Sequence, residues 1–133
     1  MKIPGLKFIN LNKVGVVIVT FNKEKDIKDC LKGLDKNDIL VVDNNSSDHT
    51  VKIINDFLNI KLIKLNENVG LSKANNLAIK EFLRDGMEYI FILNPDTLIS
   101  PNLIPDLVEV MQKNPEVGIC GPKIYFAKGF EYH

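Results

Sequence analysis

Asp43 and Asp96 follow short apolar runs, Val41-Val42 in one case and Phe91-Ile92-Leu93 with an intervening Asn94-Pro95 in the other. A carboxylate at the end of a buried run has two uses. It can cap the turn that follows by accepting backbone N–H groups, or it can face a ligand as a hydrogen-bond acceptor or a hard oxygen ligand for a divalent cation. Two more polar clusters stand behind apolar runs in the same way, Thr20-Phe21-Asn22 and Asn66-Glu67-Asn68-Val69-Gly70. The recurrence of polar segments at the ends of four apolar runs carries more than any one of them.

Other chemistries lack their parts. No two of the eight glycines fit GxGxxG, and there is no GxxxxGK[ST], GxSxG or HExxH. Dinucleotide binding of Rossmann type, P-loop phosphoryl transfer, serine hydrolysis and zinc proteolysis are therefore unsupported. Cys30 and Cys120 stand ninety residues apart with no CxxC; they are expected to be reduced, buried small hydrophobes. His49 lies in a polar turn segment and reads as a solvated surface histidine; His133 is isolated. What remains is a pocket of carboxylates and amides. It suits a nucleotide whose base is held by hydrogen bonds and whose phosphates are neutralised by a metal ion.

The elements that must position these residues alternate in type. Val14–Val19 is a β-branched run ending at Thr20 and reads as a strand buried on both faces. Glu24–Leu34 places Ile27, Cys30, Leu31 and Leu34 on one helical face, with Asn22 as the N-cap. Ile39–Val42 is a second strand, followed by a turn-rich cluster from Asp43 to Asp48. In that cluster Asp48 is an N-cap or first-turn acid for a second helix burying Val51, Ile54, Phe57 and Leu58. Ile60–Leu65 is a third strand. Leu71–Arg84 is a third helix with Leu71, Ala74, Leu77, Ala78 and Phe82 as its stripe, and Tyr89–Leu93 is a fourth strand. A fourth helix begins near Pro101, which suits an N1 position, and buries Ile104, Leu107, Val108 and Met111. Val117–Cys120 and Lys123–Phe126 read as short strands split by Gly121-Pro122. Alternating strands and helices predict right-handed βαβ units, a mostly parallel sheet with helices on both faces, in one α/β domain over residues 1–133. In such a sheet ligands bind past the carboxyl ends of the strands, where the four polar loops fall.

Composition narrows the partners. The 133 residues carry 17 basic and 17 acidic side chains, so the formal net charge is zero. That removes the uniform positive field on which nucleic-acid or anionic-membrane binding usually rests. With 45% hydrophobic residues the chain has the composition of a globular domain. No apolar run approaches the roughly 18–20 residues of a membrane span. Met1–Asn10 has no apolar segment of signal-peptide kind, so a cytoplasmic location is expected.

Taken in order, the motifs resemble a known family. Val16-Val17-Ile18-Val19-Thr20-Phe21-Asn22 and Val41-Val42-Asp43-Asn44-Asn45-Ser46-Ser47-Asp48 resemble the opening of family 2 glycosyltransferases of GT-A fold. Asn66-Glu67-Asn68-Val69-Gly70, Ala74-Asn75-Asn76 and Phe91-Ile92-Leu93-Asn94-Pro95-Asp96-Thr97 continue it in the same order, and the rhamnosyltransferase-containing subgroup is the most similar. The resemblance covers about residues 14–126. It implies a Rossmann-like half that binds a UDP- or dTDP-sugar with Mg²⁺ or Mn²⁺, for inverting transfer to an acceptor hydroxyl.

Residue by residue, the resemblance implies that Asp43 accepts the N3–H of uracil or thymine, that Thr20 helps fix the base and that Phe21 stacks on it. The alternative for Asp43 is a turn-starting cap. Asn22 completes the first motif. Asn68 and Gly70 line the nucleotide-sugar pocket, with Gly70 also supplying a positive φ. Lys73 is either solvated or in contact with base or phosphate. Asn94-Pro95-Asp96 stands where the family carries Asp-x-Asp. There Asp96 is the metal ligand and Asn94 assists ribose or metal, unless the segment is simply an Asn-Pro turn.

Members of this family typically run well beyond this length, and their second half binds the acceptor and supplies the catalytic base. No acid here is assigned that role; Asp106, Glu109, Glu116 and Glu131 stand in no motif that points to it. The chain therefore reads as the donor-binding half, expected to transfer slowly or not at all by itself. An exposed sheet edge or apolar surface is expected to promote self-association. Two readings from other classes stay open: a non-catalytic nucleotide-binding or self-assembly module that retains the fold, and a nucleotidyltransferase-like domain. The latter would require a glycine-rich phosphate loop where this chain has Phe21-Asn22-Lys23-Glu24-Lys25.

Overall fold

A computed structural model describes residues 13–34 and 36–124. The chain divides into two compact units, one ending at Pro101 and the other beginning at Asn102. The first contains Val14–Thr20 (β1), Ile27–Lys32 (α1), Asp38–Asp43 (β2), Thr50–Asn55 (α2), Ile60–Lys64 (β3), Leu71–Arg84 (α3) and Tyr89–Leu93 (β4). The second contains Leu103–Lys113 (α4).

The four strands form one parallel sheet in the order β3-β2-β1-β4. The chain walks outward from β1 to β2 to β3 and then returns to the other side of β1. With right-handed crossovers, that reversal moves the connecting helix to the opposite face. Accordingly α1 packs on α2, whereas α3 packs on β1, β2 and β4. Strand alternation feeds both faces. Val17, Val19, Leu40 and Val42 meet Ala74, Ala78 and Phe82 of α3. Val16, Ile18 and Val41 point the other way, the side where Ile27, Cys30, Leu31, Leu34 and Ile54 are buried. Gly15 has a steric reason to be glycine: a Cβ there would lie 2.5 Å from Phe82 Cδ2.

Register brings the carboxyl ends level, since Thr20 pairs with Asp43 and Asp43 with Lys64. The expected α/β class, the four strands and the extent of α3 are all present. Several local expectations are corrected. α1 starts at Ile27, not Glu24, and Asn22 is no N-cap: its φ of +52° is left-handed, whereas an N-cap needs extended backbone. All four expected face residues of α1 are nevertheless buried. Leu58 is 98% exposed because α2 ends at Asn55, after which helical spacing no longer directs side chains inward; Ile54 is buried and Val51 and Phe57 half-buried. Leu71 and Leu77 lie outside the buried stripe of α3, which Ala74, Ala78 and Phe82 form. The alanines let the helix approach the sheet closely and make the buried stripe narrow.

In the second unit α4 begins at Leu103, with Asn102 as N-cap, so Pro101 precedes the helix. Ile104 and Val108 are buried, Leu107 and Met111 half-buried. Val117–Cys120 is not a strand: Ile119 is exposed, and a four-residue run containing Gly118 has little β preference of its own. Lys123 and Ile124 form no strand either, and Tyr125 and Phe126 lie outside the described residues. Cys120 is half-buried and its thiol, like that of the buried Cys30, is free.

Candidate functional site

Because β1 and β4 flank the reversal of strand order, the loops behind them diverge and leave a crevice. A cleft of about 330 Å³ opens there. Its walls are Val19, Thr20, Phe21 and Lys23 behind β1, Asn44 behind β2, Asn68 and Leu71 between β3 and α3, and Asn94, Pro95 and Asp96 behind β4. All four loops expected to hold chemistry contribute. Thr20, Phe21, Asn68, Asn94 and Asp96 of the expected site residues line it; Asn22, Asp43, Gly70 and Lys73 do not.

Thr20 is 1% exposed, and its Oγ1 has no hydrogen-bond partner among the described residues. An unsatisfied buried hydroxyl costs about 1–3 kcal/mol, which a polar ligand group in the cleft would offset. Phe21 is 46% exposed and offers a ring face at the rim. Asn44, buried, donates its backbone N–H to Thr20 O at 2.8 Å and accepts the Val69 N–H on Oδ1 at 2.9 Å. It thereby ties the end of β2 to the loop before α3. In that loop Asn68 Oδ1 accepts the Gly70 N–H at 3.0 Å, and Gly70 adopts φ +83°, the conformation that asks for glycine.

Asp43 stands level with Thr20, and its carboxylate turns to Ser46. Oδ2 accepts the Ser46 N–H at 2.9 Å and Oδ1 the Ser46 hydroxyl at 2.5 Å. The same Ser46 Oγ accepts the Asn22 N–H at 2.9 Å, and Asn22 Oδ1 accepts the Ser47 N–H at 2.9 Å. The left-handed turn at Asn22 thus fastens the β1 loop to the β2 loop. Asp48 accepts the Thr50 and Glu24 N–H groups, and Glu24 in turn accepts the His49 N–H and contacts Nδ1 at 2.9 Å. His49 is exposed, as expected, but paired. Lys73 is exposed in the first turn of α3.

Lys23, on the cleft wall, belongs to none of the motifs. Lys23 Nζ lies 2.8 Å from Asp96 Oδ2, across the cleft from β1 to β4. Its backbone N–H is held at 2.8 Å by the hydroxyl of the buried Thr50. The only signal in the sequence was its place three residues behind Thr20. The Lys23 ammonium holds the Asp96 carboxyl below its ordinary value, and the bond from Asp96 raises Lys23 above its own. Beneath this turn, Cys30 Sγ contacts Asn94 O at 3.6 Å, and burial pushes its thiol up to about 11.

A divalent cation finds one hard, charged ligand on this cleft wall. Among the described residues no group of three His, Cys, Asp or Glu side chains gathers. Asn94 stands where a second carboxylate would be. Asp96 therefore fits as a single protein ligand for Mg²⁺ or Mn²⁺, the rest of the shell coming from phosphate oxygens and water.

An open parallel sheet with helices on both faces and a polar cleft at the reversal of strand order defines a Rossmann-like α/β domain. Residues 15–133 match glycosyl transferase family 2, and the chain belongs to that family. It is 27% identical over 113 residues to the poly-beta-1,6-N-acetyl-D-glucosamine synthase of Staphylococcus epidermidis, covering 79% of this chain and 27% of the synthase. It is 32% identical over 114 residues to the dTDP-rhamnosyl transferase RfbF of Shigella flexneri, covering 84% of this chain and 38% of that protein. Among solved structures, S. aureus TarS 1–349 in complex with UDP superposes with a TM-score of 0.64 at 26% identity, over 77% of this chain and 33% of that 1–349 chain. The fold is GT-A. The chain spans only about a quarter to two-fifths of the length of these relatives. No helix among the described residues is long and apolar enough to cross a membrane.

Proposed function

We propose that this chain binds a UDP- or dTDP-sugar in the cleft between β1 and β4 and serves the donor side of an inverting transfer to an acceptor hydroxyl. The observation that carries the reading is the buried, unpartnered Thr20 hydroxyl on the wall of a cleft at the strand-order reversal. The UDP complex of TarS supports a uridine nucleotide, and the likeness to RfbF supports a thymidine one and a rhamnosyltransferase-like relationship. In this reading Thr20 and Asp43 read the pyrimidine edge, Asp43 from beside the cleft through the lone pairs that its two bonds to Ser46 leave over. Phe21 covers the base, and Asn22 keeps the two loops together. Asn68 and Gly70 shape the sugar side, Lys73 stands outside near the phosphates, and Asn94 and Asp96 face the diphosphate.

Asp96 is the residue that would hold Mg²⁺ or Mn²⁺, whose charge would ease departure of the nucleoside diphosphate. With one carboxylate, this protein is expected to take up the ion together with nucleotide and not ahead of it. We further infer a cytoplasmic setting, in keeping with two free thiols. Residues 1–133 are taken together as one domain that binds the donor. Calorimetry with UDP and dTDP, with and without Mn²⁺, tests the reading on wild type, Asp43→Ala and Asp96→Ala. Weaker nucleotide binding in Asp43→Ala and loss of the Mn²⁺ effect in Asp96→Ala are expected; unchanged binding in both variants would overturn it.

A further inference from the structure

We propose that Lys23 is a phosphate-binding residue of this cleft: its ammonium rests on Asp96 in the free protein and turns to the diphosphate when a nucleotide enters. The inference rests on the nucleotide reading of the cleft and adds the group that meets the phosphates without a metal ion. Four observations lead to it. Among the described residues lining the cleft, Lys23 is the one cationic side chain and Asp96 the one anionic side chain. The two are in direct contact at 2.8 Å, with Asp26 Oδ2 a further 3.8 Å neighbour of the ammonium. The Lys23 backbone is pinned by the fully buried Thr50, so the root of the side chain is fixed while its ammonium end stays partly exposed and free to turn.

The fourth observation is one of charge. With Lys23 engaged, the cleft wall is balanced, but a diphosphate brings at least two negative charges to a wall whose own acid is Asp96. Exposed lysine–carboxylate pairs are weak, worth about 0–1 kcal/mol, so exchanging the partner costs little. Both bonds are charge-assisted, but the diphosphate brings two or more negative charges against the single charge of Asp96, so the ammonium is drawn more strongly to it. A purely structural Lys23–Asp96 tie between the β1 and β4 loops would behave differently, because losing it would disturb nucleoside and nucleotide binding alike.

The test is calorimetry with uridine and with UDP, in EDTA-treated buffer and again with saturating Mn²⁺, on wild type, Lys23→Met, Lys23→Arg and Asp96→Asn. Thermal unfolding of each variant verifies folding. In metal-free buffer Lys23→Met is expected to lose about tenfold in UDP affinity, the size of one charged hydrogen bond, with uridine affinity unchanged. Lys23→Arg should recover most of that loss. Asp96→Asn releases the ammonium and removes the competing charge, so metal-free UDP affinity should rise about threefold. Equal losses for uridine and UDP in Lys23→Met, no loss for either, or a fall in metal-free UDP affinity in Asp96→Asn would overturn the inference. A wild type that binds uridine and UDP equally would overturn it as well, leaving the base site standing. A wild type that binds neither would overturn the nucleotide reading itself.

Discussion

At the scale of single residues, the wall of the cleft carries a polar group at some cost in stability. The Thr20 hydroxyl is buried without a partner, so removing it should not weaken the fold. Thr20→Val is expected to leave unfolding free energy unchanged or raise it by about 1 kcal/mol, while lowering UDP affinity. Urea unfolding and calorimetry on the same preparation check both halves. The Lys23–Asp96 pair carries a pH signature whose sign follows from its shifts. Asp96 is held below its ordinary value, so its contribution is complete above an unfolded value of about 3.9 and is lost as pH falls through the lower folded one. Lys23 is raised, so its contribution holds below about 10.4 and is lost only as pH rises through the higher folded value. The denaturation midpoints of wild type and Lys23→Met should therefore differ by a small, constant amount between about pH 5 and 9 and converge below pH 4. The two side chains are 33% and 48% exposed, and solvent screening keeps the difference small.

At the scale of elements, the site depends on how closely α3 seats on β1. Phe82 occupies the space above Gly15, and Ala74 and Ala78 give the helix its close approach. Gly15→Ala would drive a Cβ into the ring, with the Phe82 Cγ also only 2.6 Å away. Overpacking of this kind costs about 1–3 kcal/mol. Thermal or urea unfolding should register that loss, and combining the change with Phe82→Leu should recover part of it. On the opposite side of the cleft the elements are joined by polar staples instead. Asn22, Ser46 and Asp43 form one, and Glu24, Asp48 and His49 another. These staples, together with the left-handed turn at Asn22, explain why α1 begins three residues later than its apolar spacing implies.

At the scale of the whole molecule, the sheet of the described residues has two unlike edges. β3 carries the exposed Lys61 and Lys64, the kind of charge that discourages strand addition. β4, Tyr-Ile-Phe-Ile-Leu, carries none, and Ile92 is 53% exposed. The expectation of self-association rests on this asymmetry. Sedimentation of the 133-residue chain at rising concentration should reveal dimers, and Ile92→Lys should shift the population toward monomer. A clean monomer at high concentration would remove the idea.

Much of this was legible in the sequence because it depends on local pattern. Continuous β-branched runs declare buried parallel strands, helical spacing declares α3, and polar clusters behind apolar runs declare the ligand side of the sheet. Gly70 was legible for the same reason, since a positive φ is a demand of the backbone at one position. Other features were not, because they are relations between residues distant in sequence. Lys23 and Asp96 lie 73 positions apart and become partners only because β4 returns beside β1. The choice of Asp43 to hold Ser46, the exposure of Leu58 and the failure of Val117–Cys120 to pair as a strand are likewise settled by what stands nearby in space. The residues alone determined the fold class and the side of the sheet that does chemistry. The tertiary structure alone decided which charges meet there, because Coulomb and hydrogen-bond energies depend on distance in space and not on distance along the chain.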